Sequence, residues 1–167
     1  MTHPVTLTAP AGTPFIDVVR DFDAPLADVY RAWSEPELVK NWLGPRRYDM
    51  VIEQYDVRTG GSWAYEHRAG DEAYGFHGVF HNVTPLESIT QTFEFAGAAG
   101  HVSLETATFS ELGDGGTRVS IHAVYQSIEA RDAMVSSGME GGMTEGFERL
   151  DEVLAQSLAT PSSSPVR

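Results

Sequence analysis

The chain has 167 residues, 41% of them apolar and 21% charged, which is the length of one domain and the composition of a chain that folds. Its 24 acidic residues against 11 lysines and arginines give a formal net charge of -13, and that charge repels nucleic-acid phosphates and anionic membrane surfaces alike. It has no cysteine, which excludes disulfides and thiolate chemistry, and with no signal pattern and no run near the ~18 apolar residues of a membrane span a cytoplasmic location is expected.

Residues 1–12 combine Pro, Thr and Gly without periodicity, so a flexible N-terminal segment is expected there, and the Ser- and Pro-rich stretch 160–167 reads as a flexible tail. A single domain is expected over 13–159. Phe15 to Phe22 is a β-rich run, and Asp23-Ala-Pro25 stops it while offering a helix N-cap with proline in the first turn. The helix that follows, about 25–33, places Val29, Tyr30 and Trp33 on one face. Ser34-Glu-Pro-Glu37 has capping-box spacing and predicts a second short helix carrying Leu38 and Trp42, ended by Gly44-Pro45.

From Tyr48 to Tyr125 the period becomes that of strands, in runs near 48–57, 62–68, 74–83, 87–95, 102–111 and 117–125, separated by glycine- and proline-bearing turns. Such short connections cannot make parallel crossovers, so an antiparallel meander is expected. Val119, Ile121, Ala123 and Tyr125 share one face, opposite Arg118, Ser120 and His122. In the preceding run Val102 and Leu104 have the opposite parity to Ala107 and Phe109, and a β-bulge near Glu105 or Thr106 would reconcile them.

Beyond Ser127 the period is helical. Met139, Met143, Phe147, Leu150 and Leu154 form one stripe, which predicts a single helix over 129–158 facing the concave side of the sheet. Four glycines, at 138, 141, 142 and 146, occupy its first half at a cost of about 1 kcal/mol each relative to alanine. Close approach of the sheet or of a ligand is the expected compensation, with Gly138, Gly141 and Gly142 leaving room opposite the third strand.

An α+β chain with this element order has the helix-grip arrangement, and several motifs point to one branch of it. They are Phe22-Asp-Ala-Pro25, Val29-Tyr-Arg-Ala-Trp33 with Pro36-Glu-Leu38, Trp42, Asp56-Val-Arg-Thr-Gly-Gly-Ser-Trp63, Gly78-Val-Phe80 with Thr84-Pro85, Gly116-Thr117, and Ser137-Gly-Met-Glu-Gly-Gly-Met143 through Arg149-Leu150. Over residues 14–158 the chain resembles the START-like (SRPBCC) superfamily, in the branch of homologues of the activator of the ninety-kilodalton heat-shock chaperone ATPase. The resemblance implies a curved antiparallel sheet of about seven strands around a long C-terminal helix, with a cavity between them. The fold hosts lipid carriers, hormone receptors, cyclases and co-chaperones, so it does not name the occupant.

No phosphate loop, dinucleotide fingerprint, nucleophile elbow or His-Glu-x-x-His zinc motif is present in the sequence. His77 and His81 share a strand face, but four residues of strand separate them by about 13 Å, too far for one ion. His3 and His101 fall in a tail and a turn, and His122 falls on the solvent face. His67 follows Trp63 and Tyr65 at period two and is the best cavity histidine. Asp56 and Arg58 are read as a structural pair that fixes the turn at Gly60-Gly61.

The aromatic and methionine inventory exceeds what a thin core needs. Trp63, Tyr65, His67, Phe80, Phe93, Phe109, Tyr125, Met139, Met143 and Phe147 are the candidate ligand-binding residues, because small-molecule cavities have apolar walls with a few polar tips. The function expected first is binding of a hydrophobic or aromatic small molecule, with no catalytic residue, metal or cofactor assigned. The second is an enzyme of polyketide cyclase or isomerase type using His67, Tyr65 or groups near Glu66. The third is a co-chaperone-like interaction module, disfavoured because the domain is expected to stand without the additional N-terminal domain of the eukaryotic co-chaperone. A homodimer is left open.

Overall fold

The computed structural model describes residues 3–159; the expected tail at 160–167 lies outside them. Strand β1 (Thr6–Thr8) leads into β2 (Phe15–Phe22), followed by helices α1 (Leu26–Ser34) and α2 (Pro36–Val39). Six strands come next: β3 (Asp49–Tyr55), β4 (Ser62–Ala69), β5 (Glu72–Thr84), β6 (Ser88–Phe95), β7 (Val102–Glu111) and β8 (Thr117–Val124). Two helices, α3 (Ile128–Ser136) and α4 (Met139–Ala159), close the chain. All eight strands form one antiparallel sheet in the order β1-β2-β8-β7-β6-β5-β4-β3. The meander β3 to β8 is as expected, and β2 closes against its last strand while α1 and α2 carry the chain from one side of the sheet to the other.

Alternation sets the inner face. In β2, Ile16, Val18, Arg20 and Phe22 are all buried, and their neighbours are less so. Ile16, Val18 and Phe22 join Phe80, Ile89, Phe109 and Val119 of the sheet with Val29 of α1 and Phe147, Leu150 and Leu154 of α4 in one core. Each large apolar side chain removed from water there contributes about 1.5–3 kcal/mol. Phe22 meets Phe147 edge-on at 5.7 Å, and Trp33 packs on Trp42, Phe109 and Phe147 at 4.6, 5.5 and 5.9 Å. The Trp42 indole N–H, which would otherwise be stranded in this apolar surrounding, donates to Ala32 O at 2.8 Å.

Several motifs that carried the resemblance have structural explanations. Thr117 is completely buried and its hydroxyl donates to Ala24 O at 2.8 Å, while a Cβ on Gly116 would stand 2.8 Å from Phe22 O. Gly61 packs against Asp56 O, where a Cβ would stand at only 2.0 Å, and Arg58 Nε donates to Asp56 Oδ2 at 2.7 Å across the same turn. The Asp56–Arg58 pair is therefore a turn clasp.

Five expectations need correction. Residues 6–8 form β1, in register with β2 from Thr6–Val19 to Thr8–Asp17, so the N-terminal segment is not devoid of structure. Neither predicted cap is made. Pro25 and Glu35 precede α1 and α2 without side-chain capping bonds, and Ser34 donates instead to Tyr30 O at 2.8 Å from inside the last turn of α1. The sheet has eight strands, not seven.

The expected single C-terminal helix is two, broken at Ser137-Gly138, where Gly138 adopts φ +85°, a conformation that side chains with a Cβ disfavour. The expected stripe nonetheless faces inward along α4, with Phe147, Leu150 and Leu154 buried and Met139 and Met143 partly so. Lastly, no bulge lies at Glu105 or Thr106. The pairing of β7 with both neighbours runs unbroken, and the bulges fall instead in β3 between Ile52 and Gln54 and in β5 between Phe80 and Asn82. Ser103, Glu105, Ala107 and Phe109 consequently point inward and Leu104 points out, 45% exposed.

Candidate functional site

Between the inner face of the sheet, helices α3 and α4, and the segment Trp42 to Pro45 lies a cavity of about 330 Å³, within the size range of small-molecule sites. Its walls follow from strand parity. Period two on β4 brings Trp63, Tyr65 and His67 to one side, and the same rule on β6 brings in Ile89, Gln91 and Phe93. The roof is Met134 of α3 with Met139, Met143 and Phe147 of α4, unbranched thioethers over aromatic faces. Trp63 and Tyr65 stack at 5.3 Å, Tyr65 meets Phe76 at 5.4 Å, and Phe76 meets Phe93 at 5.6 Å, so the sheet side is a continuous aromatic surface.

The rim segment is held from three sides. His67 Nε2 lies 3.1 Å from Leu43 O, and since a carbonyl only accepts, this nitrogen carries the proton. Burial pulls the His67 pKa below its usual value, aided by the charge of Arg149, so the ring is neutral at neutral pH. Arg149 Nη1 donates to Gly44 O at 2.9 Å. Gly146 brings the helix backbone close, since a Cβ there would stand 3.1 Å from Trp42 O. Gly44 has φ +100°, and a Cβ on it would strike the His67 ring at 2.4 Å.

Two kinds of polar group face the interior. The Tyr65 and Tyr125 hydroxyls have pKa values pushed up by burial first and then by neighbouring negative groups, Glu105 among them. Glu105 itself borders the cavity and accepts one long hydrogen bond, from Ser103 Oγ at 3.4 Å. Burial pushes its pKa up to about 7, with the Ser103 bond opposing. Trp63 Nε1 is the one buried side-chain polar atom without a partner among the described residues. It is pressed toward Gly78, where a Cβ would come within 2.7 Å of it and within 1.9 Å of Thr92 O, and the backbone contact is why a glycine stands there.

Of the ten candidate residues, the structure brings eight to this cavity: Trp63, Tyr65, His67, Phe93, Tyr125, Met139, Met143 and Phe147. Phe80 and Phe109 are not among its walls. Phe80 packs edge-on against Tyr55 at 5.7 Å, and Phe109 packs beneath α1 against Tyr30 and Trp33, so both fill core. Glu66 faces away from the cavity, where it accepts from Arg68 Nε at 2.6 Å. Glycines 138 and 141 also lie off the cavity, whereas Gly142 and Gly146 border it. His77 sits on the outer face, 3.2 Å from Glu94, and His122 is 2.6 Å from Asp17.

Sequence reading missed Trp33, Trp42, Tyr55, Gln91, Met134 and Glu105 as wall residues. A signal for Glu105 existed, because it shares parity with Ala107 and Phe109. The apolar Val102 and Leu104, which precede it and have the opposite parity, obscured it.

No helix among the described residues is long and apolar enough to cross a membrane. A family model described as "Activator of Hsp90 ATPase homolog 1-like protein" matches residues 23–155. A search of curated proteins returned no match. Among solved structures, a Rhodobacter sphaeroides protein superimposes with a TM-score of 0.84 at 23% identity, covering 92% of this chain and 99% of its own. Protein Ms6760 from Mycobacterium smegmatis gives 0.82 at 25% identity, with 92% and 99% covered. A protein from Arthrobacter aurescens gives 0.82 at 23% identity, with 97% and 98% covered.

Proposed function

Because the chain belongs to the Activator of Hsp90 ATPase homolog 1-like family, a branch of a fold built around an internal cavity, we propose that it binds a hydrophobic or aromatic small molecule without transforming it. The observation that carries this reading is the aromatic and methionine-roofed cavity of about 330 Å³. Space of that size loses dispersion contacts when empty, and an apolar guest restores them. The contiguous Trp63, Tyr65, Phe76 and Phe93 rings favour a flat guest.

Two measurements test it. Native mass spectrometry of the purified protein is expected to show a retained small molecule, and titration with an environment-sensitive apolar fluorophore is expected to saturate at one site. Gly142 borders the cavity, and its added Cβ would meet only Pro45 Cγ at 3.6 Å. Gly142→Leu should therefore fill the cavity and weaken fluorophore binding at least about tenfold, while thermal stability stays equal or rises as a helical glycine is lost. Unchanged affinity would place the site elsewhere.

A second reading, an acid–base enzyme of cyclase or isomerase type, is favoured by Glu105, whose pKa of about 7 suits proton transfer near neutrality. Turnover of a polyketide-like substrate by the native protein and its loss in Glu105→Gln would select that reading.

A further inference from the structure

Glu105 is the feature that an apolar binding cavity does not explain. Within the uninterrupted register of β7 its side chain points inward with Ser103, Ala107 and Phe109. It borders the cavity, and its one hydrogen-bond partner is Ser103 Oγ at 3.4 Å. No lysine or arginine is among the residues that line the cavity. Its strand partners, Gln91 on β6 and Ala123 on β8, are uncharged, and so are the Tyr65 and Tyr125 phenols and the methionines of α3 and α4 that line the same cavity. His67, the other titratable wall group, is neutral at neutral pH.

Building on the small-molecule reading above, we infer that Glu105 is the anionic end of the cavity and selects ligands in which a flat apolar body carries a protonated amine. An ionised carboxylate in an apolar wall lacks a counter-charge, and an ammonium supplies it through a short charge-assisted N–H···O bond. The phenol oxygens of Tyr65 and Tyr125 accept further N–H groups, and the Trp63 and Tyr65 faces attract the cation. The net charge of -13 also raises the local concentration of cations around the protein. A ligand carbonyl would not need the carboxylate, because two tyrosine hydroxyls already stand there as donors. An amine is the ligand group for which an ionised carboxyl is specific.

Three probes of one shape test the inference by calorimetric titration: naphthylmethylamine, naphthylmethanol and methyl naphthyl ketone. At a pH of about 8 the amine should bind at least about tenfold more tightly than the alcohol. That advantage should shrink as the pH falls to about 6, because Glu105 must lose its proton to pair with the ammonium. Glu105→Gln should abolish the advantage, the amine losing far more affinity than the alcohol. The pH profile of the native protein is informative even if that variant folds poorly. Binding of the alcohol without preference for the amine, or a preference that survives Glu105→Gln, overturns the inference and leaves the cavity reading standing. Ketone binding that tightens on acidification and needs Glu105 also overturns it, in favour of a proton-donating carboxyl. If none of the three probes binds, the cavity reading falls and this inference falls with it.

Discussion

Glu105 links the chemistry of the cavity to the stability of the protein. A free glutamate titrates near 4.5, and burial pushes Glu105 up to about 7. Between those values the folded protein keeps a proton that the unfolded chain has released, so raising the pH favours unfolding. The penalty begins above about 4.5 and is complete once the pH has passed 7. Glu105→Gln removes it. The variant should match the native protein in thermal melts near pH ~4 and exceed it by about 1–3 kcal/mol near pH ~8. Equal stability of the two at both pH values would show that the Glu105 side chain is solvated. His67 acts in the opposite window, since its lowered pKa means that the unfolded chain takes up the proton first as the pH falls below its usual value.

At the scale of elements, the glycines of the C-terminal helices separate into two kinds. Gly138 stands at the break between α3 and α4 with φ +85°, whereas Gly142 lies inside α4 with ordinary space around it. Alanine at the first forces a left-handed conformation on a residue with a Cβ, and Gly138→Ala should destabilise the protein by about 1 kcal/mol. Alanine at the second removes a flexible residue from a helix interior, and Gly142→Ala should stabilise it by up to about 1 kcal/mol. Urea denaturation of both variants checks the contrast, and equal effects would mean that α3 and α4 behave as one continuous helix. The stripe of α4 was legible because side-chain spacing along a helix is local. The break was not, because a glycine in a helical pattern is compatible with either continuation or termination, and docking decides between them.

At the scale of the whole molecule, one buried ion pair ties three distant segments together. Arg20 of β2, 3% exposed, points into the core and donates from both Nη atoms to Asp151 of α4 at 2.6 and 2.5 Å, while its Nε donates to His3 O at 3.0 Å. Removing the acidic partner leaves a guanidinium buried without a counter-charge. Asp151→Asn should lower stability by about 2 kcal/mol, a fall of roughly 4–8 °C in Tm; the partial exposure of Asp151 keeps this below the cost for a fully buried pair. A change under about 1 °C would show that water replaces the carboxylate at no loss. Arg131 does similar work for α3, donating to Pro10 O at 3.0 Å and Phe15 O at 3.3 Å.

The sequence by itself determined where strands β2 to β8 and the helical stretches lie, though neither β1 nor the break between α3 and α4, since turn residues and side-chain period act within a few positions of each other. It also brought Trp63, Tyr65 and His67 to one wall, because parity along a regular strand is fixed by the pleat. Only the tertiary structure decided that β2 closes against β8, that Phe80 fills core against Tyr55 and that Phe109 fills core beneath α1. It alone decided, too, that Glu105 faces inward while Leu104 faces water. These outcomes depend on hydrogen-bond register between strands far apart in the chain. In β7 that register is set by ladders to both β6 and β8. An uninterrupted ladder satisfies every backbone donor and acceptor along the strand, and that gain outweighs the exposure of one leucine and the burial of one carboxyl.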